Sequence, residues 1–205
     1  MKSWTNLSYA NVATTSPAAH KASMEWSDAL ARGGAAEFDG EAEKNAMMPL
    51  RRATARLLSC EVADVCVGSS ATELLCSLAW AVSPSGGSNI VSTRTAFPST
   101  VYPWSRVAEA NGAKIRLANH DEELYTNPDD ILDLIDEATS VVTLSHVEYS
   151  TGQRYDLRRF AEAAHSVGAL LVVDASQSMG MVPIDAVSSG ADAIVSSGYK
   201  WLRGT

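Results

Sequence analysis

The sequence has few features of a protein that binds nucleic acid or spans a membrane. Its 16 lysines and arginines are outnumbered by 24 aspartates and glutamates, which gives a net charge of −8. Nucleic acids and anionic membranes are bound by basic surfaces. No apolar run approaches the roughly 20 residues of a membrane span, and the N-terminal segment lacks the apolar middle of a signal peptide. We therefore expect a cytoplasmic protein with neither nucleic acid nor membrane as a partner.

Cysteine is scarce, with Cys60, Cys66 and Cys76 as the only three. None of them stands in a CxxC pair or near a histidine at the spacing of metal ligands, and the four histidines are scattered along the chain. We predict buried thiols and no bound metal.

The pattern that is present from Asp64 onward is an alternation of short apolar runs with longer segments of helical period. This alternation is typical of a parallel sheet with crossover helices. The predicted fold class is therefore α/β, a three-layer arrangement of a mostly parallel sheet with helices on both faces. Strands are predicted near Val65–Val67, Asn89–Ser92, Lys114–Leu117, Val141–Ser145, Leu170–Val173 and Ala193–Ser196, and helices near Thr72–Ala81, Thr100–Asn111, Asp129–Ala138 and Leu157–Val167.

Small residues follow the first predicted strand, at Gly68–Thr72, where a helix is predicted to begin. Ligands of parallel sheets bind beyond the carboxyl ends of the strands, and a helix N-terminus offers free N–H groups to a phosphate. The alternative is that Ser70 only caps the helix, with Glu73 completing a capping box. The segment is neither a Walker loop nor a dinucleotide-binding GxGxxG motif. The absence of that fingerprint argues against a nicotinamide-dependent dehydrogenase.

Three further side chains that could contact or react with a ligand follow predicted strands: Phe97, Asp174 and Lys200. A carboxylate at the end of a buried strand needs a cation or several donors. A partly desolvated amine loses its proton more easily and can condense with an aldehyde. Each has an ordinary alternative, namely core packing for the ring, turn capping for the carboxylate and a surface position for the amine. Together with the candidate phosphate site at Gly68–Thr72, these three side chains would suit one small cofactor.

These segments, taken in order, resemble the class V aminotransferases of the fold type I enzymes that depend on pyridoxal phosphate (PLP). That family includes cysteine desulfurases, selenocysteine lyases, kynureninases and isopenicillin N epimerase-like proteins. The resemblance covers most of the chain and rests on GSSATELL, AFPSTVYPW, SHVEYSTGQRYDL, VVDASQSMG and SSGYKWLRG.

The resemblance implies a set of contacts to the cofactor phosphate. Ala71 and Thr72 would bind it through a backbone N–H and a hydroxyl. Ser197 and Tyr199 would add hydrogen bonds.

The resemblance also assigns roles around the cofactor ring. Phe97 would stack on it, Asp174 would pair with the pyridine nitrogen, and Gln177 would reach the phenolic oxygen. Glu148 stands where some relatives place an asparagine near the ring. Lys200 would form the Schiff base with the cofactor and then act as the base that moves a proton. Lys200 and Asp174 are thus the expected catalytic residues, and an amino acid is the expected substrate.

The chain ends five residues after Lys200, whereas members of this family usually continue through a last strand and a smaller domain. We therefore expect an N-terminal fragment, inactive alone, of an enzyme that is a homodimer when complete. Residues 1–45 are predicted to form an arm and helix, and residues 46–205 the PLP-binding major domain. The alternative is a non-catalytic module for cofactor binding or subunit interaction. Desulfuration, β-elimination, epimerisation and transamination all stay open as reactions.

Overall fold

A computed structural model describes residues 5–204; positions 1–4 of the predicted arm and position 205 of the predicted major domain lie outside the described residues. Its centre is a parallel sheet of five strands in the order β2-β1-β3-β4-β5. The predicted α/β class is confirmed. The strands are β1 (Asn89–Thr93), β2 (Lys114–Ala118), β3 (Thr139–Ser145), β4 (Leu170–Asp174) and β5 (Ala193–Val195).

Eight α-helices surround or precede the strands in the described part of the chain. None of these helices is long and apolar enough to cross a lipid bilayer. The helices are α1 (Pro17–Gly33), α2 (Gly40–Asn45), α3 (Met48–Leu58), α4 (Ala71–Val82), α5 (Pro98–Asn111), α6 (Pro128–Leu132), α7 (Leu157–Ser166) and α8 (Ala186–Ser189).

Alternate residues of the strands build two separate apolar cores, one on each face of the sheet. On β3, Val141 packs with α4 and α5 on one face, while Val142 and Leu144 pack with α7 on the other. Successive side chains of a strand point to opposite faces, so a strand covered on both faces reads as a continuous apolar run. This explains why the sequence pattern placed these strands correctly.

The strand predicted at Val65–Val67 is wrong. The segment is extended, with Val65 at φ −102° and ψ 124°, but it pairs with no strand among residues 5–204. A ladder of hydrogen bonds to a neighbour defines a strand, and here the Val65 carbonyl instead accepts from the Arg51 side chain at 2.7 Å. The prediction of buried thiols is wrong as well, because Cys66 in this unpaired segment is exposed and Cys60 and Cys76 are only half-buried.

The helix predicted at Asp129–Ala138 is shorter than its apolar period indicated, because α6 ends at Leu132. Asp136, which would lie in its last turn, is engaged elsewhere. Its carboxylate accepts from the Asn89 amide at 2.9 Å and pairs with Arg116 at 2.5 Å. These tertiary contacts to two neighbouring strands outweigh a local helical preference, which is worth only a few tenths of a kcal/mol per residue.

The register of the sheet brings several polar side chains to one edge. Ser145 at the end of β3 lies opposite Asp174 at the end of β4, and Asp174 lies opposite Val195 at the end of β5. The segments that follow these strand ends, and the N-terminus of α4, surround a cleft at this edge.

Candidate active site

The cleft at the carboxyl edge of the sheet collects almost all of the side chains that the sequence indicated for a cofactor site. Glu148 is the exception, because it does not line the cleft. The predicted residues that line it are Ala71, Thr72, Phe97, Asp174, Gln177, Ser197, Tyr199 and Lys200.

One end of the cleft is formed by the N-terminus of α4. Ser70 caps this helix by accepting from the Glu73 N–H at 3.1 Å, as the capping alternative expected. The Glu73 carboxylate also accepts from the backbone N–H of Ser69 at 2.6 Å and from the Ser69 hydroxyl at 2.8 Å. Within residues 5–204 the N–H groups of Ala71 and Thr72 have no acceptor. Capping and anion binding are therefore compatible here, because they use different N–H groups.

Ser197 lines the same cleft. Its backbone N–H donates to the Ser176 hydroxyl at 3.2 Å, which holds the residue in place. Its own hydroxyl oxygen is buried and has no partner among the described residues. A buried hydroxyl without a partner costs about 1–3 kcal/mol. An acceptor or an anion within reach of this hydroxyl would satisfy it.

Asp174 forms the floor of the cleft and is 5% exposed. Its two carboxylate oxygens accept from the Thr100 hydroxyl and from the Ser176 N–H, each at 2.9 Å. Two donors stabilise a carboxylate charge without cancelling it. The group is therefore arranged to accept one more hydrogen bond from a cation.

Lys200 lies in a turn that follows β5, and it is 8% exposed. Its ammonium nitrogen lies 5.5 Å from the centre of the Phe97 ring and 6.0 Å from that of Tyr199. Burial lowers the pKa of the lysine, and the charge of Asp174 opposes that decrease. Loss of its proton is therefore easier than for a lysine in water, as a Schiff-base lysine requires.

Tyr149 also lines the cleft, and the sequence reasoning missed it. Its ring meets that of Phe97 edge-on at 5.2 Å between centres. Val147 and Tyr149 face the cleft, whereas His146 lies at a separate groove and Glu148 is buried. A period of two beyond the end of β3 was the signal that could have indicated Tyr149.

Glu148 lies behind the cleft wall and is 1% exposed. One carboxyl oxygen accepts from the Thr93 hydroxyl at 3.1 Å, and the other has no partner in the described chain. Burial raises the pKa of Glu148 to about 7. The hydrogen bond from Thr93 opposes this increase, and the charge of Asp174 adds to it.

Gln177 lines the cleft, but both ends of its amide are bonded outside it. The amide nitrogen donates to the Ala10 carbonyl at 2.9 Å, and the amide oxygen accepts from the Trp201 indole at 3.0 Å. The side chain thus joins the loop after β4 to the N-terminal segment and to the Lys200 turn. The predicted contact with a phenolic oxygen stays a prediction.

Comparison with known proteins agrees with the resemblance seen in the sequence. A probable cysteine desulfurase of Methanothermobacter thermautotrophicus is 35% identical over 118 residues, which is 58% of this chain and 29% of that protein. A kynureninase of Pseudomonas fluorescens is 35% identical over 117 residues, 56% of this chain and 26% of that protein. The chain thus matches under a third of the length of these relatives.

Solved structures share the fold over most of the chain. A cysteine desulfurase from Escherichia coli matches with a TM-score of 0.82 and 23% identity over 96% of this chain and 51% of that one. A cystine C-S lyase matches with a TM-score of 0.85 and 20% identity over 96% and 54%. At these identities the likeness shows the fold. The family profile described as aminotransferase class-V matches residues 11–205, and the chain therefore belongs to the class V aminotransferase family.

Proposed function

We propose that this chain is the cofactor-binding part of a PLP-dependent enzyme that acts on an amino acid. One observation carries the proposal: a buried amine, a buried carboxylate and a helix N-terminus with free N–H groups open into the same cleft. The three groups match the aldehyde, the pyridine nitrogen and the phosphate of a single cofactor. The relatives named as a cysteine desulfurase and a kynureninase support the class of enzyme.

The chain's own residues have separate tasks in this proposal. The start of α4 and the Ser197 hydroxyl bind the phosphate and so fix the position of the ring. Asp174, held by Thr100 and Ser176, would accept a hydrogen bond from the protonated pyridine nitrogen and so stabilise its protonated form. Phe97 lines the cleft and would cover one face of the ring.

Lys200 first holds the cofactor and then moves a proton. When bound, the cofactor supplies an electron sink for charge that develops at the substrate α-carbon. Lys200 would hold the cofactor through its amine, and when that amine is not so engaged it would be available in the cleft to take up a proton. Its partial burial, which lowers its pKa, leaves more of it unprotonated at neutral pH, as a general base needs.

Reductive trapping tests the proposal. The purified chain is incubated with PLP and treated with borohydride, and the labelled peptide is mapped by mass spectrometry. We expect a pyridoxyl group on Lys200 and none on the Lys200→Ala variant. Lys21, whose side chain is 76% exposed, serves as an internal control for unspecific labelling. Equal labelling of Lys21 and Lys200, or no label on Lys200 in this chain and in an extended one, contradicts the proposal.

Several parts of the proposal rest on the resemblance and on composition. They are the homodimer of the complete protein, the cytoplasmic location, and the division at residue 45 between arm and major domain. The acidic composition supports the location, and the alternation of strands and helices after Asp64 supports the division. The choice among desulfuration, elimination, epimerisation and transamination is a matter for substrate assays on an extended chain.

A further inference from the structure

The segment of residues 6–16, here called the strap, lies against the turn that carries Lys200, although about 190 residues separate the two in sequence. Two backbone hydrogen bonds join them. The Ala13 N–H donates to the Tyr199 carbonyl at 3.2 Å, and the Ser16 N–H donates to the Arg203 carbonyl at 3.0 Å. The strap therefore contacts the residue directly before Lys200 and the third residue after it.

Side chains add to this attachment. The Arg203 guanidinium donates to the Thr14 carbonyl at 3.0 Å and lies 5.7 Å from the centre of the Tyr9 ring. The same ring lies 6.2 Å from that of Trp201. Tyr9 is thus packed against two residues of the Lys200 turn.

A third link runs through Gln177, in the loop after β4. The Gln177 amide donates a hydrogen bond to the Ala10 carbonyl in the strap and accepts one from the Trp201 indole in the turn. The strap, the loop after β4 and the Lys200 turn therefore form one connected unit.

The Lys200 turn has few other hydrogen bonds in the described chain. It belongs to no helix or strand, and its internal hydrogen bonds run from the Arg203 N–H to the Lys200 carbonyl and from the Gly204 N–H to the Gly198 carbonyl. Arg203 has φ +56°, a conformation that costs a non-glycine residue roughly 1 kcal/mol or more. Contacts from outside the turn must maintain such a conformation. In the described chain most of the turn's hydrogen bonds to other segments come from the strap.

We infer that the strap is a positioning element for Lys200, with Tyr9 and Arg203 as its positioning residues. It restricts the turn to the conformation in which the lysine amine faces the cleft, and it does so without lining the cleft through either residue. The inference rests on the proposed reaction of Lys200 with PLP. A reacting group that is already held in place loses little conformational entropy when the cofactor binds. A loosened turn would lose more, and binding would be weaker.

The test compares the Tyr9→Ala and Arg203→Ala variants with wild type in two measurements. Hydrogen exchange followed by mass spectrometry, without cofactor, reports on the amides of residues 199–204. The fraction of Lys200 labelled at increasing PLP concentration gives an apparent dissociation constant. We expect faster exchange in the turn of both variants. Arg203→Ala should weaken the apparent constant about tenfold, the factor that corresponds to one lost hydrogen bond, and Tyr9→Ala, which removes only ring contacts, should weaken it by a comparable or smaller factor. Tyr102→Ala, which removes a ring that is 69% exposed on α5, should change neither quantity.

Conservative variants serve as controls that distinguish the loss of a contact from the loss of the fold. Tyr9→Phe and Arg203→Lys keep the ring and the charge and should retain most of the wild-type behaviour, and circular dichroism checks the fold of every variant. Unchanged exchange of the turn in both alanine variants overturns the inference, whether or not PLP binds. Unchanged labelling of Lys200 despite faster exchange also overturns it. Absence of label on wild-type Lys200 counts against the proposed function instead, and the exchange measurement still decides about the strap.

Discussion

Replacing Glu148 by glutamine should change how the stability of the protein depends on pH. In the folded chain burial raises the pKa of this carboxyl from 4.5 to about 7. Between these two values the folded state keeps a proton that the unfolded state has lost. The contribution of Glu148 to stability is therefore complete below pH 4.5 and is lost as the pH rises to about 7. A pKa difference of about 2.5 corresponds to roughly 3 kcal/mol.

His146 has the opposite effect in nearly the same range of pH. Burial, aided by the charge of Arg154, lowers its pKa from 6.5 to about 4. Its contribution is complete above pH 6.5 and is lost as the pH falls toward 4, because the unfolded chain then binds a proton that the folded chain does not. Its size is again roughly 3 kcal/mol. The two slopes should nearly cancel in the wild-type chain between pH 4.5 and 6.5.

Urea unfolding at pH 4.5, 5.5, 6.5 and 7.5, followed by circular dichroism, separates the two groups. Relative to wild type, the free energy of unfolding of Glu148→Gln should rise by roughly 3 kcal/mol from pH 4.5 to 7.5, since glutamine stays neutral. His146→Gln should show the reverse trend, and the double variant should again be nearly flat. Glu137→Gln, at an exposed position, controls for the general effect of removing a carboxylate.

A constant difference between Glu148→Gln and wild type over this range would refute the reasoning. It would mean that Glu148 carries the same charge in the folded and unfolded states. The same conclusion would follow if the variant became relatively less stable as the pH rose.

Three further substitutions test other parts of the structure. Thr100→Val removes the hydroxyl that donates to Asp174, so PLP titration should show about tenfold weaker binding or more, and unchanged binding would count against that role. Gly180→Ala should destabilise the chain by about 1–3 kcal/mol in urea unfolding, because Gly180 has φ +90° and a Cβ there would lie 2.8 Å from Leu202; a neutral effect would contradict this close approach. Trp104→Ala should cost about 3–5 kcal/mol in the same assay, since the ring is fully buried between α5 and the sheet, and a loss below 1 kcal/mol would show that the core closes around the gap.

Local pattern was sufficient for most of the fold. The central strands of the sheet were predicted because they are covered on both faces and therefore carry apolar residues on both. The edge strand β2 is less buried and carries Lys114 and Arg116 between its apolar residues. Gly112, with φ +77°, ends α5 as expected from its lack of a Cβ. The polar residues that follow the strands could be recognised as site candidates because parallel strands end at a common edge.

The sequence by itself thus determined the fold class, the family, and most of the side chains that line the cleft. Only the tertiary structure decided that Val65–Val67 is unpaired, that Glu148 is buried behind the cleft, and that Gln177 is bonded to the strap. These three outcomes depend on partners that are distant in sequence, Ala10 and Trp201 among them. Hydrophobic period and turn propensity act over a few residues, whereas hydrogen-bond partners and burial depend on how the completed elements pack.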